Sequence, residues 1–152
     1  MNVEQVYDKL YRYVYFKIHH RETAEDITQE TFLRYLRHYG QSKGYNMRLM
    51  YVIARNLCMD EYRRERTVTL EERDEAGFQN QQNDILERLI IEEALAALSV
   101  EEREMLLLRY VNNESVMTIS ELHKCSRFAT YRKIKSAVKK FQDFLEVKDD
   151  YE

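Results

Sequence analysis

The stretch Ile119–Phe141, ISELHKCSRFATYRKIKSAVKKF, decides the architecture. It opens on a short amphipathic run, Ile119–Lys124, breaks for three residues around Cys125, and resumes as a long periodic segment from Arg127 to about Val147. In the second part Ile134, Val138, Phe141 and Leu145 recur at three- and four-residue steps, the mark of one buried helical stripe. Phe128, Arg132, Lys135, Ser136 and Lys139 fall on another face, and Ser126 stands where an N-cap belongs. From Leu122 to Gln142 there is no acid, but Lys124, Arg127, Arg132, Lys133, Lys135, Lys139 and Lys140 are all present. A short helix, a tight break and a long basic helix have helix-turn-helix proportions. In such a motif the first turns of the second helix reach base edges in a major groove. Arg and Lys there can donate to guanine, and Ser can donate or accept.

Outward from this stretch the chain remains helical. Its 152 residues contain no Pro and 3 Gly, too few turn-formers for the many tight turns of an all-β fold. Val3, Val6, Leu10, Val14 and Ile18 predict a helix over about 3–19, capped by Asn2 with Gln5. A second helix is predicted over about 24–38, with Thr23 as N-cap and Asp26 at N3. Its inner face is Ala24, Ile27, Thr28, Thr31, Phe32, Tyr35 and Leu36. Its outer face is Asp26, Gln29, Glu30, Leu33 and Arg37, a leucine among acids and an amide that hints at a partner surface. A third helix, about Met47 to Arg66, turns Met50, Ile53, Ala54 and Leu57 inward. Arg48, Arg55, Asn56, Arg63 and Arg66 lie opposite, a cationic stripe able to follow a phosphate backbone. Further starts are predicted at Asp84 with Glu87, Ser99 with Glu102, and Thr118 with Glu121. Thr67–Asn83 has no period and is rich in Gln, Asn and acid, as a flexible linker would be. The fold expected is therefore all-α. Two small helical subdomains, 1–66 and 84–152, are joined by an acidic linker over 67–83.

The net charge of −3 and pI near 5.9 conceal a segregation. Residues 1–66 carry a net +3, residues 67–98 a net −6, and residues 99–152 balance to zero. Local fields are screened beyond about 8–10 Å, so a nucleic acid meets the basic stripes rather than the chain average.

Several classes drop out. No run approaches the roughly 18 apolar residues of a membrane span, and none resembles a secretory leader, so a cytoplasmic protein is expected. Two cysteines, Cys58 and Cys125, build no disulfide framework. There is no phosphate-cradling glycine loop, and His123 with Cys125 lacks the second pair that a zinc site needs. His19, His20 and His38 have no metal-ligand spacing. No catalytic residue, metal or cofactor is expected.

With these residues in view, the sequence resembles the extracytoplasmic-function (ECF) group of bacterial RNA polymerase sigma factors. Ala24–Arg37 (AEDITQETFLRYLR) is similar to their core-binding helix, and Tyr51–Arg66 (YVIARNLCMDEYRRER) to the helix that melts and reads the minus-ten element. Leu98–Tyr110 (LSVEEREMLLLRY) with Ile119–Phe141 is similar to the domain that reads the minus-thirty-five element. The blocks come in the family's order and cover nearly the whole chain.

The resemblance implies core RNA polymerase and promoter DNA as partners, and an anti-sigma protein as a further candidate. It implies that Asp26, Gln29, Glu30, Leu33 and Arg37 dock on the polymerase. Arg48, Arg55, Asn56, Asp60, Arg63, Arg64 and Arg66 would act at the minus-ten element. Arg127, Phe128, Tyr131, Arg132, Lys135, Ser136 and Lys139 would act at the minus-thirty-five element. The loop Tyr39–Asn46 corresponds to one that captures a flipped base, with Tyr45 and Tyr51 as stacking candidates. The chain departs from the family at Leu49, where Trp is frequent, at Lys124, where the turn usually has Gly, and at Val100, where Pro is common. Two other readings fit parts of the pattern: a freestanding helix-turn-helix regulator, and a sigma-like scaffold that binds polymerase without opening promoters.

Overall fold

Residues 1–40, 44–65 and 82–149 are described in a computed structural model. Among them every regular element is helical: α1 (Val3–Ile18), α2 (Arg21–Tyr39), α3 (Met47–Glu65), α4 (Gln82–Ala96), α5 (Val100–Leu106), a π-helical turn (Leu107–Val111), α6 (Val116–His123) and α7 (Arg127–Asp149). The chain divides into two compact units, Met1–Gly77 and Phe78–Glu152. The acidic segment 67–81 and Arg66 lie outside the described residues.

The first unit packs α1, α2 and α3 against one another. Val6, Leu10, Val14 and Ile18 form the expected buried stripe of α1, while Val3, at its open end, is exposed. Tyr13 joins them in the core and meets Tyr51 of α3 edge-to-face, ring centroids 5.0 Å apart. Thr28 and Thr31 are fully buried, and each hydroxyl donates to a carbonyl one turn back, Ala24 at 2.7 Å and Ile27 at 2.8 Å. The hydroxyls are thus satisfied inside α2 itself.

The expected cap of α1 is present: Asn2 Oδ1 accepts from the Gln5 amide at 2.8 Å, and Gln5 Oε1 accepts from the Asn2 amide at 3.1 Å. The start of α2 is corrected. It begins at Arg21, and the N-cap is His20, whose Nδ1 accepts from the Thr23 amide at 3.3 Å. The left-handed His19 (φ 56°) ends α1 so abruptly that α2 starts at once.

In the second unit α7 is the spine, contacting α4, α5 and α6. Ala94, Leu98, Met105, Leu108, Ile119, Leu122, Ile134 and Ala137 make the core. Ser99 and Glu102 form the expected capping box on α5, at 3.1 and 3.0 Å. Ser126 Oγ accepts from the Ala129 amide at 3.0 Å and opens α7 as expected. Two starts are corrected. The α4 helix begins at Gln82, ahead of Asp84, and α6 begins at Val116, capped by Ser115, whose Oγ accepts from the Thr118 amide at 3.1 Å. Thr118 therefore lies inside the first turn. Where the helix of about 99–110 was expected to run on, it widens into the π-helical turn, and Asn113 (φ 56°) then reverses the chain toward α6.

Candidate polymerase and nucleic-acid interfaces

On α2 the outward face stands as the sequence predicts. Asp26, Gln29 and Arg37 are exposed, Glu30 is half-buried, and Leu33 is 55% exposed. Glu30 is held by Arg34 Nε at 3.0 Å, one turn on. The face therefore presents an exposed leucine flanked by Gln29 and Glu30 on one side and Arg37 on the other. An apolar side chain in a polar surround of this kind marks a surface able to receive a partner.

The stripe on α3 is less uniform than its spacing suggests. Asn56, Asp60, Arg63 and Arg64 are exposed. Arg63 lies 3.7 Å from Asp60, and Arg64 lies 3.0 Å from Glu61. The Arg63–Asp60 pair is exposed on both sides and worth about 0–1 kcal/mol, so a phosphate can replace that carboxylate at little cost, whereas Glu61 is largely buried. Arg48 is half-buried, and Arg55 turns toward the core, its Nε donating to the Tyr13 hydroxyl at 3.3 Å. That bond joins α3 to α1, a structural task that the helical stripe did not reveal. Arg66 lies outside the described residues.

Beside α3, Tyr35 fastens the near side of the Tyr39–Asn46 loop. Its hydroxyl accepts from the Asn46 amide at 2.8 Å and donates to the Gly44 carbonyl at 3.4 Å. Asn46 Oδ1 in turn accepts from the Leu49 amide at 3.2 Å, at the start of α3. Tyr35, Tyr39, Gly40, Gly44, Tyr45, Asn46 and Leu49 line a shallow cleft there, while residues 41–43 lie outside the described residues. Tyr45 sits edge-on to Phe32 and tilted against Tyr35, both at 5.9 Å. Tyr51, expected as a stacking partner, is fully buried against Tyr13 and offers no face to a base.

The seven cations of the acid-free run, six of them on α7 and Lys124 at the end of α6, are sorted by their neighbours. Lys133 Nζ donates to Glu101 at 3.0 Å and approaches Cys125 Sγ at 3.5 Å, and Lys140 Nζ donates to Glu102 at 3.1 Å. The hydrogen bond to Glu101, then that to Cys125, raises the pKa of the Lys133 ammonium. The first turn of α5 thus holds two of the seven. Arg127, Arg132, Lys135, Ser136 and Lys139 are exposed, with Tyr131 and Phe128 among them. The face read from spacing already leaves out Lys133 and Lys140; the structure adds their partners, which lie 32 and 38 residues away. One side chain was missed altogether: Tyr110, 60% exposed, lines a groove with Arg109, Tyr131 and Lys135. An aromatic beside an arginine was its only signal in the sequence.

Among the described residues no three His, Cys, Asp or Glu gather as a metal site, and no helix is long and apolar enough to cross a membrane.

Comparison with known proteins gives the same outline. Residues 3–68 match sigma-70 region 2. The ECF RNA polymerase sigma factor BldN of Streptomyces coelicolor is 34% identical over 125 residues, covering 74% of this chain and 47% of that protein. The chain thus spans about half the length of the curated relative it matches. Among solved structures, the sigma factor RpoE in complex with the anti-sigma factor NepR, from Bartonella quintana, has a TM-score of 0.67 at 18% identity. That match covers 93% of this chain and 92% of the other. BldN in the RsbN–BldN complex gives a TM-score of 0.35 at 24% identity, over 92% of this chain and 86% of that one. The first unit thus matches sigma-70 region 2, and the chain shares its fold with the RpoE sigma factor. In sequence it is similar to an ECF sigma factor over 125 residues.

Proposed function

We propose that the chain is a promoter-specificity subunit, which binds core RNA polymerase and directs promoter recognition and DNA melting at initiation. Residues 1–66 dock through Asp26, Gln29, Glu30, Leu33 and Arg37. They act on the minus-ten element through Arg48, Asn56, Asp60, Arg63, Arg64 and Arg66, with Arg55 also holding the helix that carries them. Residues 84–152 read the minus-thirty-five element through α7, and the acidic segment 67–83 links the two. The subunit carries no reaction of its own and works in the cytoplasm beside the polymerase.

One observation carries this reading. On α7, Lys133 and Lys140 are paired with carboxylates of α5, whereas Arg127, Arg132, Lys135 and Lys139 stand exposed on a stretch of helix that carries no acid of its own. That is the surface a duplex requires, since each cation meeting a phosphate releases a condensed counterion. Opening the duplex then costs about 0.6–2.2 kcal/mol per stacking step. Capture of an extruded base, worth about 1–3 kcal/mol where it stacks, offsets part of that cost.

In vitro transcription with purified core polymerase on genomic DNA, with start sites mapped, tests the proposal. Discrete starts that share two upstream elements are expected, with permanganate-reactive thymines in the opened segment. Promoter binding without polymerase would favour a freestanding regulator. Polymerase binding without a permanganate-reactive bubble would leave a scaffold. An anti-sigma protein, a partner of many ECF members, is proposed for this chain too, and its addition should abolish these transcripts.

A further inference from the structure

We propose that Phe128 reads a thymine in the upstream element through its C5-methyl group. The inference rests on the reading of α7 as the duplex-reading helix and goes beyond it by assigning one base and one chemical group. Phe128 is the second residue of α7, and it is 83% exposed, the highest of any large apolar residue among those described. A phenyl ring so placed gains nothing from the core, and its apolar surface awaits a partner.

The surroundings define that partner. At three- and four-residue steps along the same face stand Tyr131, Arg132, Lys135 and Lys139, all exposed. No acid occurs from Leu122 to Gln142. The occupant is therefore polyanionic and carries an apolar group recessed between its charges. Duplex DNA has that form. Phosphates meet the cations, and in the major groove the thymine methyl is the apolar group on a base edge, one that a Phe side chain can contact. The first turn of such a helix is also the part that penetrates deepest. Arg132, one turn further on, is placed for a neighbouring base edge or phosphate, so the ring and the guanidinium would read adjacent positions.

The test uses holoenzyme on a promoter it transcribes, with each thymine of the upstream element replaced in turn by deoxyuridine. This substitution removes the methyl and keeps the pairing. At one thymine the unmodified protein should bind about fourfold more weakly, the factor given by about 0.8 kcal/mol for one methyl-sized apolar group. Phe128→Ala should show that loss on thymine DNA already and no response to uracil at that position, while Phe128→Leu should recover part of the response. The exposed ring supports no core contact, and the uracil arm needs no variant at all. Equal affinity for thymine and uracil at every position overturns the proposal, as does a Phe128→Ala protein that keeps the uracil response. A defect confined to protein association, with promoter affinity intact, assigns the ring to a protein partner and overturns it as well. If holoenzyme fails to protect any upstream element, the reading of α7 falls with it; protection without a uracil response removes the thymine assignment alone.

Discussion

Lys124 closes α6 in a left-handed conformation, φ 56° and ψ 41°, at a position where a Cβ is unwelcome. The Cys125 amide reaches back to the Ser120 carbonyl at 3.0 Å and the Lys124 amide to Glu121 at 3.4 Å, the double closure that ordinarily recruits glycine. The sequence shows that lysine stands where the ECF turn usually has Gly; the structure adds that the backbone takes the strained geometry anyway. Lys124→Gly should therefore stabilise the second unit by about 0.5–1 kcal/mol, since relief of the left-handed penalty exceeds the entropy that glycine adds to the unfolded chain. A higher thermal midpoint checks this, and an unchanged or lower one refutes it. On α7 the same scale separates exposed cations from paired ones. Arg132→Ala should cost about 1–3 kcal/mol on promoters with its preferred base and little on others, if the guanidinium meets a base edge. An equal loss across sequences, measured by competition binding of holoenzyme, would show that it touches phosphate only. Arg55 and Tyr51 mark what residue-level reading cannot see. Both are set by Tyr13, 42 and 38 positions earlier in the chain, and no helical period reports a contact across such a distance.

Among the elements, helix starts show where local sequence suffices. Asn2 with Gln5, Ser99 with Glu102, and Ser126 are read correctly because the cap and its recipient lie within three residues of each other. Thr23 and Thr118 mislead for one shared reason. Each is a polar β-branched residue followed three positions later by an acid, the pattern of a cap, yet each instead donates its amide to the true cap one turn upstream, His20 or Ser115. Histidine is an uncommon cap, so α2 gave little warning; the π-helical turn before Asn112 gave none. The α5 capping box also has a pH signature. The backbone amide of Ser99, with help from Lys140, lowers the Glu102 pKa below its ordinary value of 4.5. Because the folded-state value is the lower one, Glu102 contributes stability that is present above about pH 4.5. The contribution fades as the pH falls through the folded value. Glu102→Gln should accordingly lose stability at neutral pH and show a flatter decline on acidification than the parent. Parallel thermal midpoints from pH 7 to pH 3 would sink that assignment.

At the scale of the whole molecule, two basic surfaces in separate units sit on a chain whose net charge is −3. Charge distribution rather than charge total is what a polyanion meets, and the segregation into +3, −6 and 0 is legible in the sequence alone. The face read from the spacing of α7 leaves out Lys133 and Lys140, but the carboxylates of α5 that engage them lie too far along the chain for any helical period to report. Recognition in this scheme needs both units held by one polymerase, so a lesion at the docking face should remove every promoter at once, unlike a lesion on α7. Leu33 is the residue to change. At 55% exposure it supports little of the three-helix core, and it stands between Glu30 and Arg37 on the outer face of α2. A charge placed there leaves an unpaired carboxylate against whatever apolar pocket receives the leucine, a penalty of a few kcal/mol in a buried contact. Leu33→Asp should hence co-purify with no core polymerase and support no transcription, with its circular dichroism and thermal midpoint close to those of the parent. Retained association at parental affinity would place the docking surface elsewhere on the first unit. Association lost together with the fold would be resolved by Leu33→Gln, which removes the apolar contact without adding charge and should weaken rather than abolish binding.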